Sequence, residues 1–568
     1  MIPRVAVPVL VASVVLSQTT YDYVIVGGGT VGLTVAARLS ELPNVSVAVV
    51  EAGGTGIGNP NITDLRNRYL PYGTPIDWAL PTLPQTFADG RVYTHRQGKV
   101  LGGSSAINGA VYLRPDVREF AAFETLGAKG WTWDNFLQYF KKSEHFHPET
   151  DELTAGQNES THGFDGPIAV SYGFNVSSFF TEYAIPTLEE IGRVNEDNSD
   201  GTPIGGTSQQ LTIFPGTYNR SYSANSYLWP NQDRENLHVF TDSLVSKLIW
   251  GEDENGLAVA SGVEYITDNG TEVLNAKHVI LSAGALHSPK VLELSGVGDP
   301  SVLDNLGIES KIDLAGVGKN LQNQLGVNVI YKLKNGSVTV GSETSAPIID
   351  LIPAQQVLSN EDMQKSIELR SIKNDDLSEA QYNALQEIID DGLAQTEMNW
   401  SLIKQADGTV QLQFYTTDLH TYSRGYVHAN SSDPTATVTL DPKYLSAEHD
   451  LWYLSRAVAY TRNITSTQPL ASIIDSEVTP GANYSSSEDV QEWLRPNFRT
   501  MSHFVGTTAA LPREEGGVVD PESFIVYGTS NVRVVDCGVI PLLPGIHTSS
   551  FAYALGEIAA DVIKKTEC

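Results

Sequence analysis

The chain has 568 residues, 41% hydrophobic and 18% charged, a globular composition too long for one small core, so two or more packed regions are expected. Asp and Glu number 67 against 36 Lys and Arg, a formal net charge of -31, which argues against a nucleic-acid partner because phosphate backbones need clustered cations. Only Cys537 and Cys568 are present, which excludes a disulfide framework and a cysteine-rich metal site and leaves their pairing open.

The first residues, MIPRVAVPVLVASVVLSQTT, carry one Arg, an apolar run from Val5 to Leu16 and small residues suited to cleavage after Ser17. This reads as a secretory signal over residues 1–17, too short to span a membrane. Asn-x-Ser/Thr sites at Asn61, Asn158, Asn175, Asn219, Asn269, Asn335, Asn430, Asn463 and Asn483 fit a secreted, N-glycosylated protein.

Tyr21 to Gly53 follows with an apolar β run (Tyr23 to Val26), Gly27, Gly29 and Gly32 in G-x-G-x-x-G spacing, a helix-prone segment and a second β run (Val45 to Val50) ending in Glu51. That order predicts a dinucleotide-binding βαβ unit. Gly27 permits a tight turn, Gly29 close approach to a pyrophosphate and Gly32 close helix–strand packing. The helix N-terminus favours phosphates, and Glu51 is placed to accept from ribose hydroxyls.

Further on, Gly98 to Pro115 (GKVLGGSSAINGAVYLRP) places a tight Gly102–Ser105 turn where backbone and hydroxyl groups can meet phosphate oxygens. WTWDNFLQYFKKSEHF predicts a helix with Asp134 at its cap. LHVFTDSLVSKLIW and SGVEYITDNGTEVLNAKHVILSAGA predict strands joined by a turn at Asp268-Asn269-Gly270. Val279 to Ser282 then opens a second strand–glycine–helix unit through Leu294, and Gly316 to Gln324 (GVGKNLQNQ) is a glycine turn with amide side chains. Beyond it lie an acidic, helix-prone stretch at about 355–395 and strand-like runs such as TVQLQFYTT. The C-terminal part brings FRTMSHFVGTTAALP, the β run Asn531 to Asp536, a loop with His547 and a helix rich in small residues.

Together these stretches resemble the glucose–methanol–choline (GMC) oxidoreductases, FAD enzymes that oxidise alcohols. Two signatures carry the resemblance: Gly98-Lys99, Gly102-Gly103-Ser104-Ser105, Ile107-Asn108, Tyr112 and Pro115, then Gly284-Ala285, Ser288-Pro289, Val291-Leu292 and Ser295-Gly296-Val297-Gly298. The resemblance implies an α/β, Rossmann-like FAD-binding domain from 20–120, 225–325 and 515–568. It implies an α+β substrate domain with an antiparallel sheet from 121–224 and 326–514. FAD contacts are implied at Gly27, Gly29, Thr30, Gly32, Glu51, Ala52, Gly102, Gly103, Ser104, Asn108, Ala110, Val111, Ala283, Asp536, Cys537 and Thr548, and no metal is implied. Asn323 stands where many relatives carry Asp.

The same resemblance makes His503 and His547 the catalytic pair, with Glu397 orienting His547. An alcohol carbon gives up hydride only as its hydroxyl proton leaves, so a near-neutral base must lie within reach of that oxygen. His503 is assigned as the base and His547 as the partner that holds the oxygen, with hydride passing to flavin N5. FRTMSHFVGT, INGAVYLRP and YGTSNVRVVD resemble the glucose oxidase and glucose dehydrogenase branch, where an Arg and an Asn before the catalytic His bind sugar hydroxyls. Arg499 is present, but Met501 replaces the Asn.

The implied substrate is therefore glucose or a glucosyl oligosaccharide oxidised at C1 to the lactone. A dehydrogenase is favoured over an oxidase, with quinone or oxygen as acceptor. A benzylic or allylic alcohol, with Phe504 and Met501 beside His503, is the alternative, and a non-catalytic flavin-binding protein is the alternative of another class. A monomer without nucleic-acid or membrane partners is expected.

Overall fold

The computed structural model describes residues 20–148, 157–172, 179–338, 348–372 and 374–567. The expected N-terminal signal, Asn175 and Cys568 lie outside them.

The apolar runs at the start of the chain form a seven-stranded sheet. Thr20–Val26 lies parallel between Val47–Val50 and the second half of Gly270–Leu281, and Leu237–Phe240 extends the parallel set beyond Val47–Val50. Gly270–Leu281 is twelve residues long and changes partners along its length. Its first half closes an antiparallel meander with Ala260–Thr267 and Leu244–Trp250, and its last residues also pair in parallel with Val532–Val534. The expected turn at Asp268-Asn269-Gly270 is the hairpin between the first two of these strands. Strands fully buried on both faces read as continuous apolar runs, as Val47–Val50 does.

A second seven-stranded sheet is antiparallel and runs Ile474–Thr479, Leu325–Leu333, Val410–Asp418, Ala394–Lys404, Ile348–Pro353 and Gly205–Ser208, with Arg499–Thr500 paired beside Leu325–Gly326. The acidic stretch forms two helices, Asn360–Arg370 and Glu379–Asp390, each opened by a capping box from Ser359 and Ser378. The helix Trp133–Ser143 forms as expected, but its cap is Thr132, whose hydroxyl accepts from Asn135 N–H at 3.2 Å. Asp134 sits inside the first turn instead, where its charge complements the helix dipole.

The C-terminal helix Ser549–Glu567 packs on Thr30–Leu39; a Cβ at Gly556 would stand 2.8 Å from Thr34, so the small residue lets the two helices meet closely. Arg38 reaches across to the buried Glu557 at 2.8 Å.

A buried ionic cluster ties Arg114, at the end of the INGAVYLRP segment, to the polar chain beyond it. Arg114 donates to Glu144 at 2.5 Å, while His162 bridges Glu144 at 3.1 Å and Asp197 at 3.0 Å with its ring stacked on Phe146. Burial pushes the His162 pKa down, but hydrogen bonds to Asp197 and Glu144 outweigh it and hold the pKa above the ordinary value. A proton bound more tightly in the folded state stabilises most below the unfolded pKa of about 6.5, and that contribution is lost as pH rises through the folded value. The melting temperature is therefore expected to fall as pH is raised through the neutral range. His162→Leu should lower stability by about 3–5 kcal/mol and flatten this slope, because two buried carboxylates lose their donor. Thermal melts of both proteins across pH check it; an unchanged slope in the variant would contradict the assignment.

Candidate active site

The first glycine loop and the Gly-Gly-Ser-Ser turn meet backbone to backbone. Gly27 turns at φ +103°, and a Cβ on it would stand 2.5 Å from Ser282 O; one on Gly103, at φ +52°, would stand 2.7 Å from Gly29 Cα. Gly29 opens the helix Thr30–Leu39 without a capping side chain, so the first-turn N–H groups are left for an anion. Gly32 packs as expected, since a Cβ there would lie 2.1 Å from Gly27 O.

A cleft of about 1200 Å³, counting its open mouth, runs past these turns. Gly27, Gly29, Thr30, Glu51, Ala52, Gly103, Ser104, Ala283, Asp536, Cys537 and Thr548 line it, as does Ser243-Leu244-Val245. Glu51 is buried, with Oε2 accepting from Gly28 N–H and Oε1 from Gly53 N–H, both at 2.8 Å. Burial raises its pKa to about 7 against the lowering effect of those two bonds. Glu51, expected at the ribose, braces its own loops through these bonds while lining the cleft. Asp536 does similar work, accepting from Gly284 N–H, Ser288 Oγ and Gly538 N–H. Burial pushes the neighbouring Cys537 thiol up to about 12, so it is a neutral lining group.

Five expected cofactor residues do not line this cleft. Gly32 and Gly102 are turn and packing glycines. Asn108 Oδ1 accepts from Ala110 N–H at 3.0 Å and from Arg220 at 2.6 Å, Ala110 holds φ +64°, and Val111 O accepts from Ser549 Oγ. They shape the segment around Ser104, which is exposed and lines the cleft. The set fits FAD: buried acids, an uncapped helix start and closely approaching glycines line one continuous cleft.

Beside Ser502, Phe504 and Thr548 of the cleft lining, two histidines converge from different loops. The rings of His503 and His547 lie 4.8 Å apart at 66°. His503 N–H donates to Asn323 Oδ1 at 2.9 Å, and its Nδ1 lies 2.7 Å from Gln324 Oε1. The Gln324 amide nitrogen donates to Pro544 O at 3.2 Å and Ile546 O at 3.3 Å. His547 Nε2 lies 2.8 Å from Glu397 Oε1, which also accepts from Asn399 Nδ2. Burial, then the proximity of His547, pushes the His503 pKa well below the ordinary histidine value, so its ring is neutral.

Behind His503 a second layer fixes its loop. Asn323 Nδ2 donates to Tyr444 Oη at 2.7 Å, and Tyr444 Oη meets His95 Nε2 at 2.9 Å. His95 reaches Ser502 Oγ at 3.3 Å, and burial pushes its own pKa down to about 3. Ser502 takes φ +57°, a left-handed conformation that this packing must hold. Phe504 is 7% exposed, packs edge-on to His95 at 4.7 Å and contributes to the cleft lining.

Arg499 is exposed, and Met501 Sδ accepts a weak bond from Thr417 Oγ1 at 3.9 Å. Sequence reading passed over Asn399, Thr417 and Tyr415. Glu397 and Asn399 share a strand face by alternation and pair in register with Thr417 and Tyr415, so the missed signal was the strand period itself. The Tyr415 ring lies over Gly326, where a Cβ would come within 2.9 Å of the hydroxyl.

The sequence pattern described as GMC oxidoreductase matches residues 21–326 with its N-terminal part and 421–556 with its C-terminal part. Among curated relatives, the GMC oxidoreductase family protein Mala s 12 of Malassezia sympodialis is 35% identical, over 96% of this chain and 93% of its own. A glucose oxidase of Aspergillus carbonarius is 32% identical, over 96% and 92%. Among solved structures, an FAD-dependent oxidoreductase from Chaetomium thermophilum superposes with a TM-score of 0.86 at 28% identity, covering 96% of this chain and 99% of that one. A fungal aryl-alcohol oxidase gives 0.81 at 28% identity with the same coverage.

Gly103→Ala is expected to force Gly29 and Gly103 apart and to yield protein with little bound flavin, read as the ratio of visible to protein absorbance. A full flavin complement in this variant would contradict the close-approach role.

Proposed function

The chain belongs to the GMC oxidoreductases and depends on FAD, and from that premise we propose that it oxidises a sugar at its anomeric carbon, with His503 as the base and His547 holding the reacting oxygen. The observation that carries this reading is the commitment of the two rings. His503 Nδ1 is taken by Gln324 and His547 Nε2 by Glu397, which leaves His503 Nε2 and His547 Nδ1 as the free nitrogens of a facing pair.

Bound flavin supplies the two-electron hydride acceptor. His503, neutral through burial, takes the hydroxyl proton at Nε2. His547, its Nε2–H held by Glu397, would fix the oxygen by donating from Nδ1 as the doubly protonated ring, so that the carbon–hydrogen bond stays aligned. Sugar is favoured by the polar strand face beside the pair, where the half-buried Asn399 and Tyr415 can meet ring hydroxyls and Arg499 is exposed, while Glu397 and Thr417 are fully buried and paired within the protein. Met501, Phe504 in the cleft lining and the likeness to an aryl-alcohol oxidase keep a benzylic alcohol as the second reading. Electrons leave to a quinone in preference to oxygen.

We also propose that the mature protein is a secreted, N-glycosylated monomer. Asn158, Asn219, Asn269, Asn335, Asn430, Asn463 and Asn483 are exposed, as glycan acceptors must be.

Steady-state turnover of glucose, cellobiose, laminaribiose and anisyl alcohol, each with oxygen and with a quinone, tests the substrate. Sugar turnover with quinone is expected, and turnover of anisyl alcohol alone would overturn the sugar reading. His503→Ala should slow flavin reduction roughly 100- to 10,000-fold and leave flavin content intact. Because the base is needed neutral and its pKa is held down, kcat/KM should stay level as pH falls through the usual histidine range and drop only below it. An acid limb at the ordinary histidine pKa would contradict that assignment.

A further inference from the structure

Gln324 touches both histidine loops with one side chain. Its carbonyl oxygen faces His503 Nδ1 at 2.7 Å, and its amide nitrogen spans Pro544 O at 3.2 Å and Ile546 O at 3.3 Å, directly before His547. The carboxamide is fully buried, so its orientation is set by partners and not by water. Two backbone carbonyls can accept only from the NH₂ end, which turns the oxygen toward His503. An acceptor at 2.7 Å then requires a proton on Nδ1.

We propose that Gln324 is the positioning residue of the catalytic pair: by holding the Pro544–Ile546 carbonyls at one end and His503 Nδ1–H at the other, it fixes His503 in the tautomer whose Nε2 lone pair is free and sets the spacing of the two rings. The proposal deepens the reading of His503 as the base and rests on it. Gln324 itself touches no reacting atom.

The surrounding contacts agree with this role. The two flanking residues secure the same loops through separate bonds: Gln322 accepts from Leu543 N–H at 3.0 Å and donates to Pro541 O at 3.0 Å, and Asn323 accepts from His503 N–H at 2.9 Å. The backbone of both loops is therefore held without Gln324. What Gln324 adds is the ring orientation and a direct link between loops that are otherwise tied through neighbours. A glutamate here would keep the acceptor for Nδ1 but lose the donor to the two carbonyls, and it would place a charge beside a ring faced by His547 and, through it, Glu397.

The test compares holoenzyme carrying Gln324→Leu and Gln324→Glu with the native protein. Flavin reduction is followed anaerobically against pH with the fastest alcohol of the panel, and long-range proton–nitrogen NMR of histidine-labelled protein reports the His503 tautomer. Gln324→Leu is expected to keep flavin content and KM, to slow reduction roughly 10- to 100-fold through misorientation, and to populate the Nε2–H tautomer of His503. Gln324→Glu should keep the Nδ1–H tautomer and move the acid limb of the pH profile upward, because the carboxylate favours the protonated ring.

Native reduction rates and a native tautomer in Gln324→Leu would overturn the proposal, as would parallel loss of flavin and activity in both variants, the mark of a merely structural residue. Should Gln324→Leu fail to fold, an unmoved pH profile in Gln324→Glu overturns it alone. If no alcohol reduces the native flavin, the function reading fails while the tautomer spectra still decide the role of Gln324.

Discussion

Two imidazoles from separate loops have to face one point in space, and every other feature of this site serves that requirement. His503 follows a strand paired to the antiparallel sheet, and His547 precedes the helix that packs on the first glycine helix. Their 4.8 Å ring separation is held by side-chain amides from a third segment, Gln322 to Gln324, which carries no chemistry of its own. Amides suit this task because each has a donor and an acceptor end and no charge to shift the neighbouring rings. Burial and the neighbouring His547 keep the His503 ring neutral.

The nucleotide end obeys a different rule. Recognition there is a matter of how closely backbones approach, and the glycines at 27 and 103, which have no room for a Cβ, permit it. Acids at this end, Glu51 and Asp536, brace turns as well as lining the cleft. A carboxylate that first satisfies backbone N–H groups is held still, so its remaining lone pairs meet a ligand without further ordering cost. The cleft then runs from these turns to Ser502, Phe504 and Thr548, which flank the two histidines.

Much of this was legible in the residues because the motifs are local. The βαβ unit, the meander and the hairpin at Asp268-Asn269-Gly270 follow from strand runs, glycine spacing and a turn triplet that need no knowledge of the remainder of the chain. The histidine pair was found through resemblance to a family, since nothing local distinguishes His503 from the buried His95 or His162. What escaped was contact between distant segments. Gln324 reads as part of a glycine turn, and its hold on Pro544 and Ile546 arises only after some 220 residues of intervening chain have folded. Asn108 and Val111 likewise reach distant chain: Asn108 Oδ1 accepts from Arg220 and Val111 O from Ser549 Oγ, contacts that their motif does not announce.

The most direct test of the account is a primary isotope effect in the native holoenzyme. The alcohol turned over fastest is deuterated at its carbinol carbon, or at C1 for a sugar, and mixed anaerobically with oxidised enzyme while flavin bleaching is timed. Bleaching is expected to be several-fold slower with the deuterated substrate and nearly abolished, with flavin retained, in His503→Ala. Bleaching that proceeds equally fast with either isotope and survives loss of His503 would contradict that expectation.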